Sequence, residues 1–220
     1  MKGKSFKYIS ASDAMQLLEN DAIIADTRTA PQFIEGFIPD SIFIGREGKL
    51  KEWANALLPT GKPLIFISDE PNADQIAEVL SQAGFGQQLY FLEGGVEAWK
   101  QAGGKIDMVI EIDADEFAMD IPHDPKMAIV DVRTPPEYAD GHVKDAINLP
   151  LAEMNDLAQI ADFEENENLY VYCGGGYRSL IATSLFKKHG IHNIRNIAGG
   201  FDAIKEQSSI KTEKIKSSLN

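Results

Sequence analysis

The chain carries one cysteine, Cys173, in the run Cys173-Gly174-Gly175-Gly176-Tyr177-Arg178-Ser179. Cysteine acts as a nucleophile through its thiolate, so its surroundings decide whether it can do chemistry. Three consecutive glycines let the backbone take positive φ at little cost and turn N–H groups toward one point. The N–H groups of Gly174 to Ser179, the start of a following helix and the Arg178 guanidinium would make an anion cradle around the sulfur. The bland alternative is a structural cysteine buried beside a glycine turn, the common fate of an isolated cysteine. A strand, a glycine loop, an arginine and a helix in succession favour a reactive site instead. No second cysteine and no nearby histidine pair accompanies it, and His123, His189 and His192 lack metal-ligand spacing, so neither metal nor cofactor is expected. Tyr177 either lines the mouth of the site or covers the helix.

The elements that must hold this loop are legible on both sides. Leu169-Tyr170-Val171-Tyr172 reads as a buried strand, and Leu180 to Phe186 has helical spacing and ends at Gly190. An internal repeat fixes the larger plan. Asp26 to Gly45 aligns without gaps to Asp131 to Pro150 at an offset of 105, with seven identities in twenty. The same offset sets Gly94-Gly95 on Gly199-Gly200 and Ser68 on Cys173. Two copies of one fold are expected, 1–104 and 105–220, joined near Gln101-Ala102-Gly103-Gly104-Lys105.

In the first copy a strand at Ile9 leads to a helix capped by Ser12 or Asp13. Strands at Ala22–Ala25, Pro63–Ile67 and Gln88–Leu92 follow. The second copy repeats them at Val109–Ile112, Met127–Val130, Leu169–Tyr172 and Ile194–Ile197, with an extra helix from Leu151 to Ile160. Its tail, Ser208 to Asn220, is polar and reads as a frayed or disordered end. Strands alternating with helices imply a parallel α/β sheet covered on both faces.

The loop of the first copy, Ser68-Asp69-Glu70-Pro71-Asn72-Ala73, lacks both the cysteine and the arginine, and its acids would repel an anion. That copy is expected to be inactive. Asp131 and Arg133 have counterparts in it, Asp26 and Arg28, so a structural role is expected for the pair. His142 stands where the first copy has Phe37, which favours a hydrogen-bonding structural role over that of a base. Trp99 and Ile204 read as core residues.

Cys173 to Arg178 resembles the active-site loop of the rhodanese family of sulfurtransferases. Asp131 to Val143 with Ala146-Ile147-Asn148-Leu149-Pro150 resembles the family's N-terminal signature, and Gly199-Gly200-Phe201 its C-terminal one. The resemblance implies an α/β chain of two tandem rhodanese-like domains, each a central parallel sheet flanked by helices. It implies sulfur transfer from thiosulfate or a low-molecular-weight persulfide through a Cys173 persulfide. Cys173 and Arg178 would be catalytic; Gly174, Gly175, Gly176, Tyr177 and Ser179 would bind substrate. The second domain is similar to rhodanese modules fused to metallo-β-lactamase-fold persulfide dioxygenases, although no histidine-rich motif of that fold is present. Partners would be small sulfur-containing anions and thiols, with an acceptor or persulfide-metabolising protein beside them. Two other classes share the resemblance. One is a non-enzymatic binding module; the other is a phosphatase of the same fold, whose loop has one residue more than the four between Cys173 and Arg178.

Composition sets the remaining bounds. The net charge is -13. Both halves share it: residues 1–104 carry 9 basic and 14 acidic side chains, residues 105–220 carry 12 and 20, giving -5 and -8. Neither half offers the basic field that nucleic acid requires. The start is basic but no apolar run of signal-peptide length follows, and no stretch approaches a membrane span. A cytoplasmic protein without a membrane or nucleic-acid partner is the expectation, and one cysteine fits a reducing compartment.

Overall fold

The structure, a computed structural model, describes residues 6–69, 72–85, 89–154, 160, 163 and 166–215. The chain divides into two compact units, Met1–Met108 and Val109–Asn220. The segment expected as a linker is held by the first unit. Trp99 Nε1 donates to the Lys105 carbonyl at 2.9 Å. Asp107 and Phe37 then exchange backbone hydrogen bonds of 2.9 Å in both directions.

In the first unit, β1 (Phe6–Ile9), β2 (Ile23–Asp26), β3 (Ile42–Phe43), β4 (Leu64–Ile67) and β5 (Leu89–Leu92) form one sheet in the order β1-β5-β4-β2-β3. All its pairings are parallel. The second unit repeats the plan with β6 (Ile110–Ile112), β7 (Met127–Asp131), β9 (Ile147–Asn148), β10 (Asn168–Tyr172) and β11 (Ile194–Ile197), ordered β6-β11-β10-β7-β9 and again parallel. Helices connect the strands, which gives an α/β fold in each unit. The central strands β4 and β10 explain the apolar runs. All of β4 is buried, and so is β10 from Leu169 onward, because a parallel strand packed on both faces has no solvent side.

Two short helices start in the same way. α2 (Ala30–Glu35) and α7 (Pro135–Asp140) each place proline in the first turn and close a capping box, Thr29 with Gln32 and Thr134 with Glu137. Helix α1 (Ala11–Glu19) is capped by Ser10 rather than Ser12 or Asp13: Ser10 Oγ accepts the Asp13 N–H at 3.1 Å. The cap falls earlier because the strand already ends at Ile9.

Two further expectations change. The Leu151–Ile160 segment opens as a 3-10 turn, Leu151–Glu153, rather than as an α-helix; Ile160 is helical, and residues 155–159 lie outside the described residues. The tail is not frayed up to Ile215. Thr212–Glu213 forms strand β12, antiparallel to β8 (His142–Val143), and Lys144 and Ile215 add backbone bonds on either side. Backbone pairing, which ignores side-chain polarity, holds this polar stretch. Residues 216–220 lie outside the described residues.

Trp99 and Ile204 are buried in the cores of their respective units. Among the described residues no helix is long and apolar enough to cross a membrane.

Candidate active site

The carboxyl ends of β7, β10 and β11 converge on one place, the usual location of a site in an open α/β sheet. β7 ends in Asp131, β10 leads into Cys173, and β11 leads into Gly199-Gly200. The loop from Cys173 turns into α8 (Tyr177–Lys188), buried from Ser179 to Lys187. That burial anchors the loop to the core.

Within the loop, Gly176 alone takes the left-handed conformation, at φ 100°, as the N-cap of α8. Gly174 and Gly175 stay at ordinary φ, so the expected freedom is used once rather than three times. The left-handed turn aims the Gly176 N–H at the sulfur, 3.2 Å from Cys173 Sγ. On the opposite side the loop is tied to the segment after β11. The Phe201 N–H donates to the Cys173 carbonyl at 2.6 Å and the Asp202 N–H to the Gly174 carbonyl at 3.0 Å. Gly200 makes this approach feasible, since a Cβ there would lie 2.7 Å from the Gly174 oxygen and nearer still to that of Cys173. The sulfur sits at the bottom of this turn, with Cys173 only 1% exposed.

Arg178 is not an open cation. Its Nη1 and Nη2 donate to Glu137 Oε2 and Oε1 at 2.8 and 2.7 Å, a bidentate pair. Glu137 is meanwhile held by the capping box, its Oε2 accepting from the Thr134 N–H and Oγ. The hydrogen bond from Arg178 chiefly pulls the Glu137 carboxyl down to about 2, and the same bond raises Arg178. Glu137 is therefore charged at any ordinary pH and Arg178 is oriented from the first turn of α7. Sequence reading missed Glu137. Its one visible signal is the Thr134-x-x-Glu137 box, which by itself announces only a helix start.

The other expected residues divide clearly. The Ser179 hydroxyl is buried and donates to the Gly176 carbonyl at 2.9 Å, so it braces the loop. Tyr177 is half-buried, and burial raises its phenol. Asp131 and Arg133 form a buried pair: Arg133 Nε and Nη2 reach both carboxylate oxygens at 2.6–3.0 Å, and Nη2 also caps the Gly141 carbonyl at 2.6 Å. Asp26, Arg28 and Gly36 repeat this arrangement in the first unit, at 2.6–3.1 Å. Arg133 in addition lies over the Phe201 ring, 4.1 Å from its centroid. His142 is buried with Nδ1 2.8 Å from the Tyr138 carbonyl and its ring stacked on Tyr138 at 3.6 Å. Its Nε2 faces Glu213 of β12 at 3.5 Å.

The first unit has a cavity at the equivalent place, as the second has beside Glu137. About 490 Å³ of open space is bordered by Ser68, Asp69, Gln32 and Gly94-Gly95. Gly94 and Gly95 keep the left-handed conformation of Gly199 and Gly200, yet nothing lies within 4 Å of a Cβ placed on Gly95. A cation does reach this loop, which the sequence does not indicate: Arg46 Nη1 meets Asp69 Oδ2 at 3.0 Å, and Gln32 donates to Asp69 Oδ1 at 3.1 Å. Glu70 and Pro71 lie outside the described residues. Among the described residues no three His, Cys, Asp or Glu side chains gather as metal ligands do.

Comparison with known proteins gives a consistent result. The family profile described as the rhodanese-like domain matches twice, at residues 10–102 and 113–207. A sulfurtransferase of Allochromatium vinosum is 29% identical over 96 residues, 44% of this chain and 88% of that protein. Thiosulfate sulfurtransferase PspE of Escherichia coli is 34% identical over 70 residues, 32% of this chain and 67% of that one. The Bacillus subtilis protein YrkF is 30% identical over 111 residues, and the match takes in 50% of this chain and 57% of YrkF.

Proposed function

The chain belongs to the rhodanese-like domain family, and from that premise we propose that its second unit is a sulfurtransferase working through a persulfide on Cys173. The observation that carries this reading is the Gly176 N–H held 3.2 Å from the cysteine sulfur by a loop locked to the segment after β11. Two relatives named as sulfurtransferases support it.

In the first half-reaction the Cys173 thiolate attacks the outer sulfur of thiosulfate or of a small persulfide. A new S–S bond forms to Cys173, the donor's S–S bond breaks, and its electron pair leaves with sulfite or a thiolate. The Gly176 N–H and the N-terminal turn of α8, twelve residues long, stabilise the negative sulfur that remains. In the second half-reaction an external nucleophile takes the terminal sulfur and Cys173 returns as thiolate, a double displacement. With no second cysteine in the chain, the acceptor is another molecule. Gly174, Gly175 and Tyr177 border the path of the donor, and Arg178 orients it.

The first unit, 1–104 by the repeat, is non-catalytic on this reading. Serine replaces the nucleophile, and Ser68-Asp69-Glu70-Pro71-Asn72-Ala73 carries neither the glycine run nor the arginine of the second loop. A small-anion or thiol partner of cytoplasmic origin, and an accompanying acceptor protein, complete the proposal.

The test assays one preparation for sulfur transfer from thiosulfate or glutathione persulfide and for hydrolysis of aryl phosphates. We expect sulfur transfer alone, lost in Cys173→Ser. Phosphatase turnover that needs Cys173, with sulfur transfer at background, would assign the loop to phosphate chemistry instead.

A further inference from the structure

We propose, resting on the sulfur-transfer reading, that Glu137 sets the donor class of this site: zwitterionic persulfides of the amino-acid or small-peptide type, in preference to the thiosulfate dianion. Two independent observations point there.

The first is charge. Arg178 gives both terminal nitrogens to the two oxygens of Glu137, so the cation at the loop already has a full counter-charge. Thiosulfate brings two negative charges to a thiolate that carries one. Its transfer forms Cys173–S–S⁻, breaks the donor S–S bond and releases the sulfite dianion with the electron pair. Three negative charges are thus gathered throughout. A neutral perthiol, R–S–SH, brings none at the reacting end; the proton stays on the transferred sulfur and R–S⁻ leaves with the pair. Only one negative charge is then present at the reacting sulfurs. A loop whose arginine is neutralised can support the second reaction far better than the first.

The second is the adjoining cavity. About 620 Å³ of space borders Glu137 and lies beside Phe201 and Asp202, the residues whose N–H groups lock the loop. Its polar lining is of both signs: Lys205 pairs with Asp202 at 2.7 Å, and Lys214 with Asp140 at 3.0 Å. Such a surface offers partners to an ammonium and a carboxylate on one ligand. An inorganic dianion finds an excess of carboxylates there, with Glu137 among them.

Glutamine at position 137 removes the charge and keeps the helix start, because Gln32 closes the same capping box in the first unit. The experiment measures kcat/KM for thiosulfate and for glutathione persulfide in wild type, Glu137→Gln and Glu137→Asp. In Glu137→Gln the thiosulfate-to-persulfide ratio should rise about tenfold or more, mostly through the KM for thiosulfate, with a smaller gain in high salt. Glu137→Asp should keep the wild-type preference. A ratio that stays level or falls in Glu137→Gln, while both donors still turn over, overturns the assignment. A purely structural Glu137 would lower both donors together and leave the ratio alone. If neither donor leaves a sulfur on wild-type Cys173, the sulfur-transfer reading fails and carries this inference with it.

Discussion

Gly200 is pressed so closely against the carbonyl oxygen of Cys173 that no side chain fits between them. The residues lie in different connections of the sheet, yet the Phe201 and Asp202 N–H groups donate to the loop's carbonyls at 2.6 and 3.0 Å. The geometry of the sulfur therefore depends on a glycine outside its own loop.

Gly200→Ala should accordingly lose sulfur transfer and destabilise the second unit by about 1–3 kcal/mol from overpacking, with added strain at φ 56°. Gly175→Ala is the control. It has ordinary φ and open space around its Cβ, so its stability should stay within about 0.5 kcal/mol of wild type. Thermal unfolding with donor labelling of each variant reads both effects. Equal behaviour of the two would show that the backbone lock is unimportant.

Arg133 and Arg178 should separate stability from chemistry. Arg133→Ala strands Asp131, a fully buried carboxylate, and should cost about 3–5 kcal/mol. Arg178 and Glu137 are part-exposed, and Arg178→Ala should cost about 1 kcal/mol or less after solvent screening, while sulfur transfer falls steeply. Denaturant unfolding against specific activity for both variants makes the comparison. A stable, inactive Arg133→Ala would move that residue into the chemistry.

The pH dependence of the clamp has a definite sign. Glu137 is pulled below its ordinary value of 4.5 to about 2, first by Arg178. A carboxyl depressed on folding adds stability above its unfolded value and loses it as pH falls through the folded one. The clamp should hold at pH 4 and open only near pH 2. Carbon-detected NMR titration of the Glu137 carboxyl should place its midpoint there, and Arg178→Ala should move it upward toward 4.5. A wild-type midpoint near 4.5 would mean that the pair is not formed in solution.

The first unit should stay silent even with a thiol. Ser68→Cys in a Cys173→Ser background places a nucleophile beside Asp69 and an open cavity, without the glycine turn. Turnover by that double variant would assign the first unit a catalytic role.

The repeat, the buried strands and the position of Cys173 were legible in the sequence because each is a local pattern. Apolar runs of β-branched and aromatic residues mark β4 and β10, and the glycines mark the turns. The shared Asp131–Arg133 and Asp26–Arg28 arrangement was legible too, since retention in a copy without cysteine separates architecture from chemistry. What was not legible is tertiary. Glu137 meets Arg178 across 41 positions and Arg46 meets Asp69 across 23, and no pattern within either segment announces its partner. The strand Thr212–Glu213 escaped because two polar residues joined by backbone bonds have no apolar period. The glycine run suggested more left-handed backbone than the loop uses, because composition shows where such φ is permitted and packing decides where it occurs.

The most direct test of the central claim is the intact mass of the protein after exposure to glutathione persulfide, before and after an added thiol. The account predicts one added sulfur, about 32 mass units, on wild type, removed by the thiol and absent from Cys173→Ser. The same adduct on Cys173→Ser, or an unlabelled wild type that still transfers sulfur, would contradict a Cys173 persulfide.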